Sequence, residues 1–206
     1  MPAASHQREF AMASSTLYRL RRSALIALAL AAAAPAALAA SIGSPVSPAP
    51  TGDDTAAGLA VQYNRIKVRH VDEVEREKPG GYGEPLPALD YNSGDGEVLT
   101  SGHDDEVGAR ISGFLHFPQA GTYVMTIQSN DGVRLKLGGQ VVIEDPDVHS
   151  DQYSPYVNIE IAEAGWYPLY LVYFERKGTS TLELYWQAPG TSNFALVPAE
   201  MFRHKK

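Results

Sequence analysis

The chain has no cysteine among its 206 residues. That excludes a disulfide scaffold, thiolate-bound zinc, thiol catalysis and lipidation of an N-terminal cysteine. Also missing are a Gly-x-Ser-x-Gly elbow, a His-Glu-x-x-His helix and a phosphate-binding loop, so no catalytic signature marks an enzyme. Positive charge is scarce: 17 basic residues face 24 acidic ones, for a net charge of −7. Residues 40–206 hold 13 basic and 23 acidic side chains, −10 net. Such a surface repels a phosphate backbone, so nucleic acid is not an expected partner; neutral ligands, or cations that bring their own charge, suit it better. No window offers a convincing amphipathic helix. Val71 to Lys78 can form one short turn before Pro79.

What is present is strand material. Eleven Tyr, six Phe, eighteen Gly and fourteen Pro favour short strands and tight turns over a helical bundle. From Gly58 onward the apolar period is two. It places Val107, Ala109, Ile111, Gly113, Leu115 and Phe117 on one face of a long strand. The pattern returns at Tyr123–Ile127, Val133–Leu137, Val157–Ile161, Leu169–Tyr173 and Leu182–Trp186. Val141–Ile143 follows Gly138-Gly139 as the second arm of a hairpin; Leu59–Tyr63 opens the series and Phe194–Val197 closes it. Eight or nine strands at this spacing predict an all-β fold, an antiparallel sandwich or barrel. Gln119-Ala120-Gly121-Thr122-Tyr123 is echoed by Glu163-Ala164-Gly165-Trp166-Tyr167. The echo reads as one kind of turn used twice rather than a duplicated repeat.

The first forty residues have a different composition. Arg19, Arg21 and Arg22 precede an uncharged apolar run from Ala24 to Ala34, Pro35 breaks it, and Ala37-Leu38-Ala39 has the small-x-small pattern of a signal peptidase site. Residues 1–39 therefore read as a signal peptide, cut after Ala39 or one residue later, and the protein as secreted, periplasmic or held at the cell envelope. An uncleaved anchor is the alternative, which the short, proline-broken run disfavours. Residues 40–57, with Pro45, Pro48 and Pro50, read as a flexible linker, and the folded domain as residues 58–206.

The most informative segment is Ser129-Asn130-Asp131-Gly132, set between two strands. Its oxygen-bearing side chains either build a turn or converge on a hard cation or on sugar hydroxyls. Further along, Asp90 to Glu97 is similar to a calcium loop but has the wrong glycine spacing and reads as a polar turn. His103-Asp104-Asp105-Glu106 sets metal-capable side chains in succession, but neighbours on a strand point to opposite faces, so it reads as a solvated acidic loop. The acidic loop from Glu144 to Asp151 carries Asp145 and Asp147. The nearby Tyr153 and Tyr156 either stack on a sugar face or pack on the sheet.

Several ordered stretches resemble one family. They are Phe117-Pro118 with Gly121-Thr122-Tyr123, Ser129 to Leu135 followed by Gly138-Gly139, Ala164 to Leu169 with Tyr173-Phe174-Glu175, and Leu182 to Trp186 with Val197-Pro198. Together they resemble the module named after the protective antigen of anthrax toxin, the PA-fourteen domain, over about residues 58 to 203. The resemblance implies an antiparallel β-sandwich and, most often, carbohydrate recognition. In the family's lectins two consecutive aspartates joined by a cis peptide hold a calcium that grips sugar hydroxyls, and an asparagine further on adds a ligand. Asn130 and Asp131 stand at the aspartate positions and Glu175 at the asparagine. One carboxylate has thus become an amide, which weakens a calcium site without removing it. A non-proline cis bond costs ~3 kcal/mol and is not to be assumed here without the second aspartate.

The expectation is a non-catalytic glycan-binding module, with calcium a candidate cofactor held by Asn130, Asp131 and Glu175. Asp145, Asp147 and Tyr153 are expected beside it as ligand-binding residues. The partner is a glycan or polysaccharide; the alternative is an envelope module that binds proteins and has lost the sugar site.

Overall fold

A computed structural model of the chain describes residues 40–206. The leader read at residues 1–39 lies outside the described residues. In chain order the elements are β1 (Ala40–Ser41), β2 (Thr55–Ala57), β3 (Ala60–Arg65), α1 (Val71–Arg76), β4 (Gly81–Tyr82), β5 (Asp90–Gly94), β6 (Val107–Phe117) and β7 (Gly121–Asn130). They continue with β8 (Val133–Leu137), β9 (Gln140–Asp145), β10 (Gln152–Tyr153), β11 (Val157–Ile161), β12 (Gly165–Glu175), β13 (Ser180–Gln187), β14 (Ala195–Leu196) and β15 (Phe202–Lys205). The fold is an all-β sandwich. Sheet A runs β1-β11-β7-β13-β14, with β10 against β7 and β5 against β13. Sheet B runs β2-β15-β6-β12-β8-β9, with β3 on β6 and β4 on β3. Pairing is antiparallel except where β1 joins β11.

The long strands are those the two-residue period marks, because each has one face to bury. Ala109, Ile111, Leu115 and Phe117 of β6 meet Tyr167, Leu169, Leu171 and Tyr173 of β12 across a register that runs from Gly165↔Phe117 to Glu175↔Val107. From sheet A, Tyr123, Met125, Ile127, Leu182, Leu184 and Ile159 fill the other side of the core. The opposite face of β12 is covered locally: Val68, Val71 and Val74, on and just before α1, pack over Val172 and Phe174. Arg134 ties that helix down through Asp72 and Glu75, at 2.8 and 2.7 Å.

The echoed turns do one job twice. The Tyr123 hydroxyl donates to the Gln119 carbonyl at 3.2 Å, and the Tyr167 hydroxyl to the Glu163 carbonyl at 2.6 Å. Each phenol reaches back over its own turn while its ring enters the core against Phe117.

Two expectations are corrected. Residues 40–57 do not hang as a tether on this sandwich: β1 extends the β11 edge, β2 pairs with β15, and Ile42 is buried in the core. Composition misleads here because two short pairings and one apolar anchor are enough to dock a proline-rich segment. Asp90–Gly94, read as a turn, is strand β5, since β13 offers it a free edge.

Candidate functional site

Strands β7, β12 and β13 end together at one rim, and the Ser-Asn-Asp-Gly segment sits there. Asn130 is the last residue of β7, opposite Thr181 of β13. The Asn130–Asp131 peptide is cis, which differs from the expectation for a chain without the second aspartate. Neighbours hold both residues from several sides. The Tyr173 hydroxyl, fully buried, donates to the Asn130 carbonyl at 2.5 Å, and the Asn130 amide donates to Thr179 Oγ1 at 2.7 Å. The Asp131 N–H donates to the Phe174 carbonyl. Its carboxylate accepts the His149 N–H at 3.1 Å and the Arg176 N–H at 2.8 Å. Gly132 is required next: a Cβ there would lie 2.6 Å from the Phe174 ring and 2.7 Å from the Pro146 carbonyl.

Glu175 is the unusual member. The strand alternation that buries Leu171 and Tyr173 also turns Glu175 inward, and its side chain is 0% exposed. Neither carboxylate oxygen has a side-chain partner among the described residues. Burial pushes its pKa up to about 8, reinforced by the carboxylates of Asp105 and Asp131, against the pull of the Glu106 backbone N–H. Asp131 is raised for the same leading reason, burial, against the pull of its two N–H donors. A buried acid with open lone pairs, beside two further carboxylates, is costly unless it is protonated or meets a cation.

The donor chemistry suits a hard divalent ion: Glu175 offers two oxygens without side-chain partners, Asp131 keeps spare lone pairs, and Asn130, whose NH2 donates to Thr179, carries an amide oxygen. No three His, Asp or Glu side chains among the described residues converge into a ready metal cluster. A cation here would therefore draw on the amide oxygen and on main-chain carbonyls as well.

The other expected residues spread outward from this rim. Asp145, at the end of β9, accepts from Gln152 at 2.9 Å and lies 3.5 Å from His149 Nε2, so it braces the loop whose backbone caps Asp131. Asp147 is exposed and its backbone bridges to His70, towards α1 rather than into the rim. Tyr153 lies on the outer face of sheet A, opposite Gln128. Asp105 stands in the string His103-Asp104-Asp105-Glu106, which the sequence reads as a solvated acidic loop rather than as part of this site. It lies two residues before Val107, the partner of Glu175, and that pairing is the signal that brings it close. A separate cleft of about 720 Å³ on the outside of sheet B, between Tyr82, Phe114, Tyr170 and Lys205, does not touch these carboxylates.

The model of the PA14 domain family matches residues 87–198, more than half of the chain and the whole of this rim. The chain belongs to the PA14 domain family. No curated protein matches it. Among solved structures, the PA14 sugar-binding domain from an RTX adhesin superposes with a TM-score of 0.59 at 19% identity, over 72% of this chain and 98% of that one. The epithelial adhesin 9 A domain from Candida glabrata, in complex with Galb1-4GlcNAc, gives 0.58 at 11% identity, over 79% and 95%. An anti-sigma factor domain-containing protein gives 0.61 at 18% identity and covers 73% of this chain. The chain spans about half, 48%, of that protein. At these identities the likeness is one of fold. No described helix of this PA14 domain is long and apolar enough to cross a membrane.

Proposed function

We propose that this PA14 domain is an exported, non-catalytic glycan-binding module whose site is the rim of Asn130, Asp131 and Glu175, with calcium as its cofactor. The observation that carries the reading is Glu175: a buried carboxylate with no side-chain partner, close enough to Asp105 and Asp131 for their charges to act on it. Calcium held there would supply a positive centre able to bind paired sugar hydroxyls. The protein's own part is positional. Tyr173 and Thr179 fix Asn130, while the His149 and Arg176 N–H groups orient the Asp131 carboxylate. The sugar-binding adhesins with this fold support a glycan as partner. The leader pattern at residues 1–39 supports export.

A second reading, a protein-binding envelope module, draws support from the anti-sigma factor protein that shares the fold. One experiment separates them: calorimetric titration with calcium, followed by a glycan array with calcium and with chelator, on wild type and Glu175→Gln. Heat of calcium binding and calcium-dependent glycan signals, both lost in Glu175→Gln, are expected. No calcium heat and no glycan signal would leave the protein-binding reading.

A further inference from the structure

Away from the rim, the outer face of sheet A carries aromatic rings that the rim chemistry does not use. Tyr153 and Tyr156 lie nearly parallel, at 22° with centroids 6.5 Å apart, and so do Tyr185 and Phe194, at 16° and 6.3 Å. The two pairs adjoin at 5.7 and 5.4 Å with planes 63° and 62° apart, so the four rings close a quadrilateral. Tyr153 is 49% exposed and Tyr156 61%. Tyr185 stands outward because its neighbours Leu184 and Trp186 take the core face of β13. Large apolar side chains gathered in the open on one face mark recognition rather than folding.

The rings are edged by acid. One cross-strand row runs Tyr153, Gln128, Glu183, Asp90 over β10, β7, β13 and β5. The Tyr185 hydroxyl donates to Glu183 at 3.1 Å, and Asp151 lies close enough to act on the Glu183 charge. Among the described residues none of these three acids pairs with a basic side chain.

We propose that this face is a second, calcium-independent binding surface for a glycan chain that bears free amino groups, its pyranose faces on the rings and its ammonium groups against Glu183, Asp90 and Asp151. Charge decides among ligands. An acidic polysaccharide would be repelled by the three carboxylates and by the net charge of −10 over residues 40–206. A neutral chain would cover half-buried Glu183 and strip water from its charge without compensation. Ammonium groups supply that compensation and also gain from the electron-rich ring faces.

The test uses the protein in excess chelator, titrated calorimetrically with a glucosamine oligomer, its fully N-acetylated counterpart and a uronic-acid oligomer. The glucosamine oligomer is expected to bind, the N-acetylated one about tenfold more weakly, the uronate not at all. Tyr153→Ala with Tyr156→Ala should weaken the first by about tenfold or more, Glu183→Gln should narrow the gap between the first two, and Tyr156→Phe should keep it. Both tyrosines are exposed, so a folded double variant is expected and circular dichroism checks it. Equal binding of the two glucosamine forms, no binding in chelator, or indifference to the tyrosine pair would overturn the proposal. None of these outcomes bears on the rim, whose failure shows as absence of calcium heat.

Discussion

The Asp131 carboxylate holds the Arg176 backbone N–H at 2.8 Å, fixing the chain immediately after Glu175. Its other oxygen takes the His149 N–H. One side chain thus clamps the end of β12 and the loop after β9, the two segments that frame the rim. Asp131 is therefore a structural keystone as well as a candidate ligand.

Asp131→Ala is consequently expected to destabilise the fold, by about 2–4 kcal/mol, since it strands two backbone donors that bond to a charged group. Asp131→Asn keeps one strong acceptor and should cost less. Urea denaturation of both variants checks the order. A stability equal to wild type in Asp131→Ala would mean that the two N–H groups find water instead. Glu175→Gln, which removes a charge but no side-chain partner and keeps an acceptor for the Glu106 N–H, is the cleaner probe of binding.

Glu175 sets a pH dependence. Its pKa is about 8 in the fold against an ordinary 4.5, so between these values the folded state holds a proton that the unfolded state has released. The unfolded state then binds fewer protons, and stability falls as pH rises through that window. Asp131, also raised, acts in the same direction. Calcium competes with the same proton, so its affinity should climb over the same range. Melting temperatures in chelator at stepped pH should decline towards pH 8 in wild type and decline less in Glu175→Gln. A flat wild-type profile would show that Glu175 is ionised and solvated.

Most of the sandwich was legible because each long strand alternates visibly, and Asn130 and Asp131 stand out in the sequence because the stretch around them resembles a family pattern. The structure sets them where β7, β12 and β13 meet. What stayed hidden depends on pairing. Asp105 comes near Glu175 only through the β6–β12 register, and nothing in the local string His103-Asp104-Asp105-Glu106 reveals it. The docking of residues 40–57 was invisible for a related reason: their composition lacks a period, while Ile42 and the β1 and β2 pairings are specified by the edges they land on.

The paired corner tyrosines give a third test. Tyr123→Phe and Tyr167→Phe each remove one hydroxyl that bonds a carbonyl four residues back, leaving ring packing on Phe117 untouched. Each is expected to cost about 1 kcal/mol. The loss should be seen in the denaturation midpoint, with the slope unchanged. A neutral result would mean that water replaces the phenol at both turns.

The docked N-terminal segment makes a prediction about coupling. Removing residues 40–57 uncovers the β11 and β15 edges and takes Ile42 out of the core, so the melting temperature should fall by several degrees. Ile42→Ala should cost about 2 kcal/mol or more, up to the stability of the segment's own docking, beyond which the segment detaches and the loss stops growing. Gly138 supplies the cross-check. A Cβ there would sit 1.9 Å from the Ile42 carbonyl, on a backbone with φ of +56°. The positive φ penalises Gly138→Ala in any background. The clash exists only while Ile42 is docked. In a double-mutant cycle, Gly138→Ala should therefore cost more in the chain that begins at residue 40 than in the one that begins at residue 58. Equal costs would mean that the segment does not rest on the sandwich in solution.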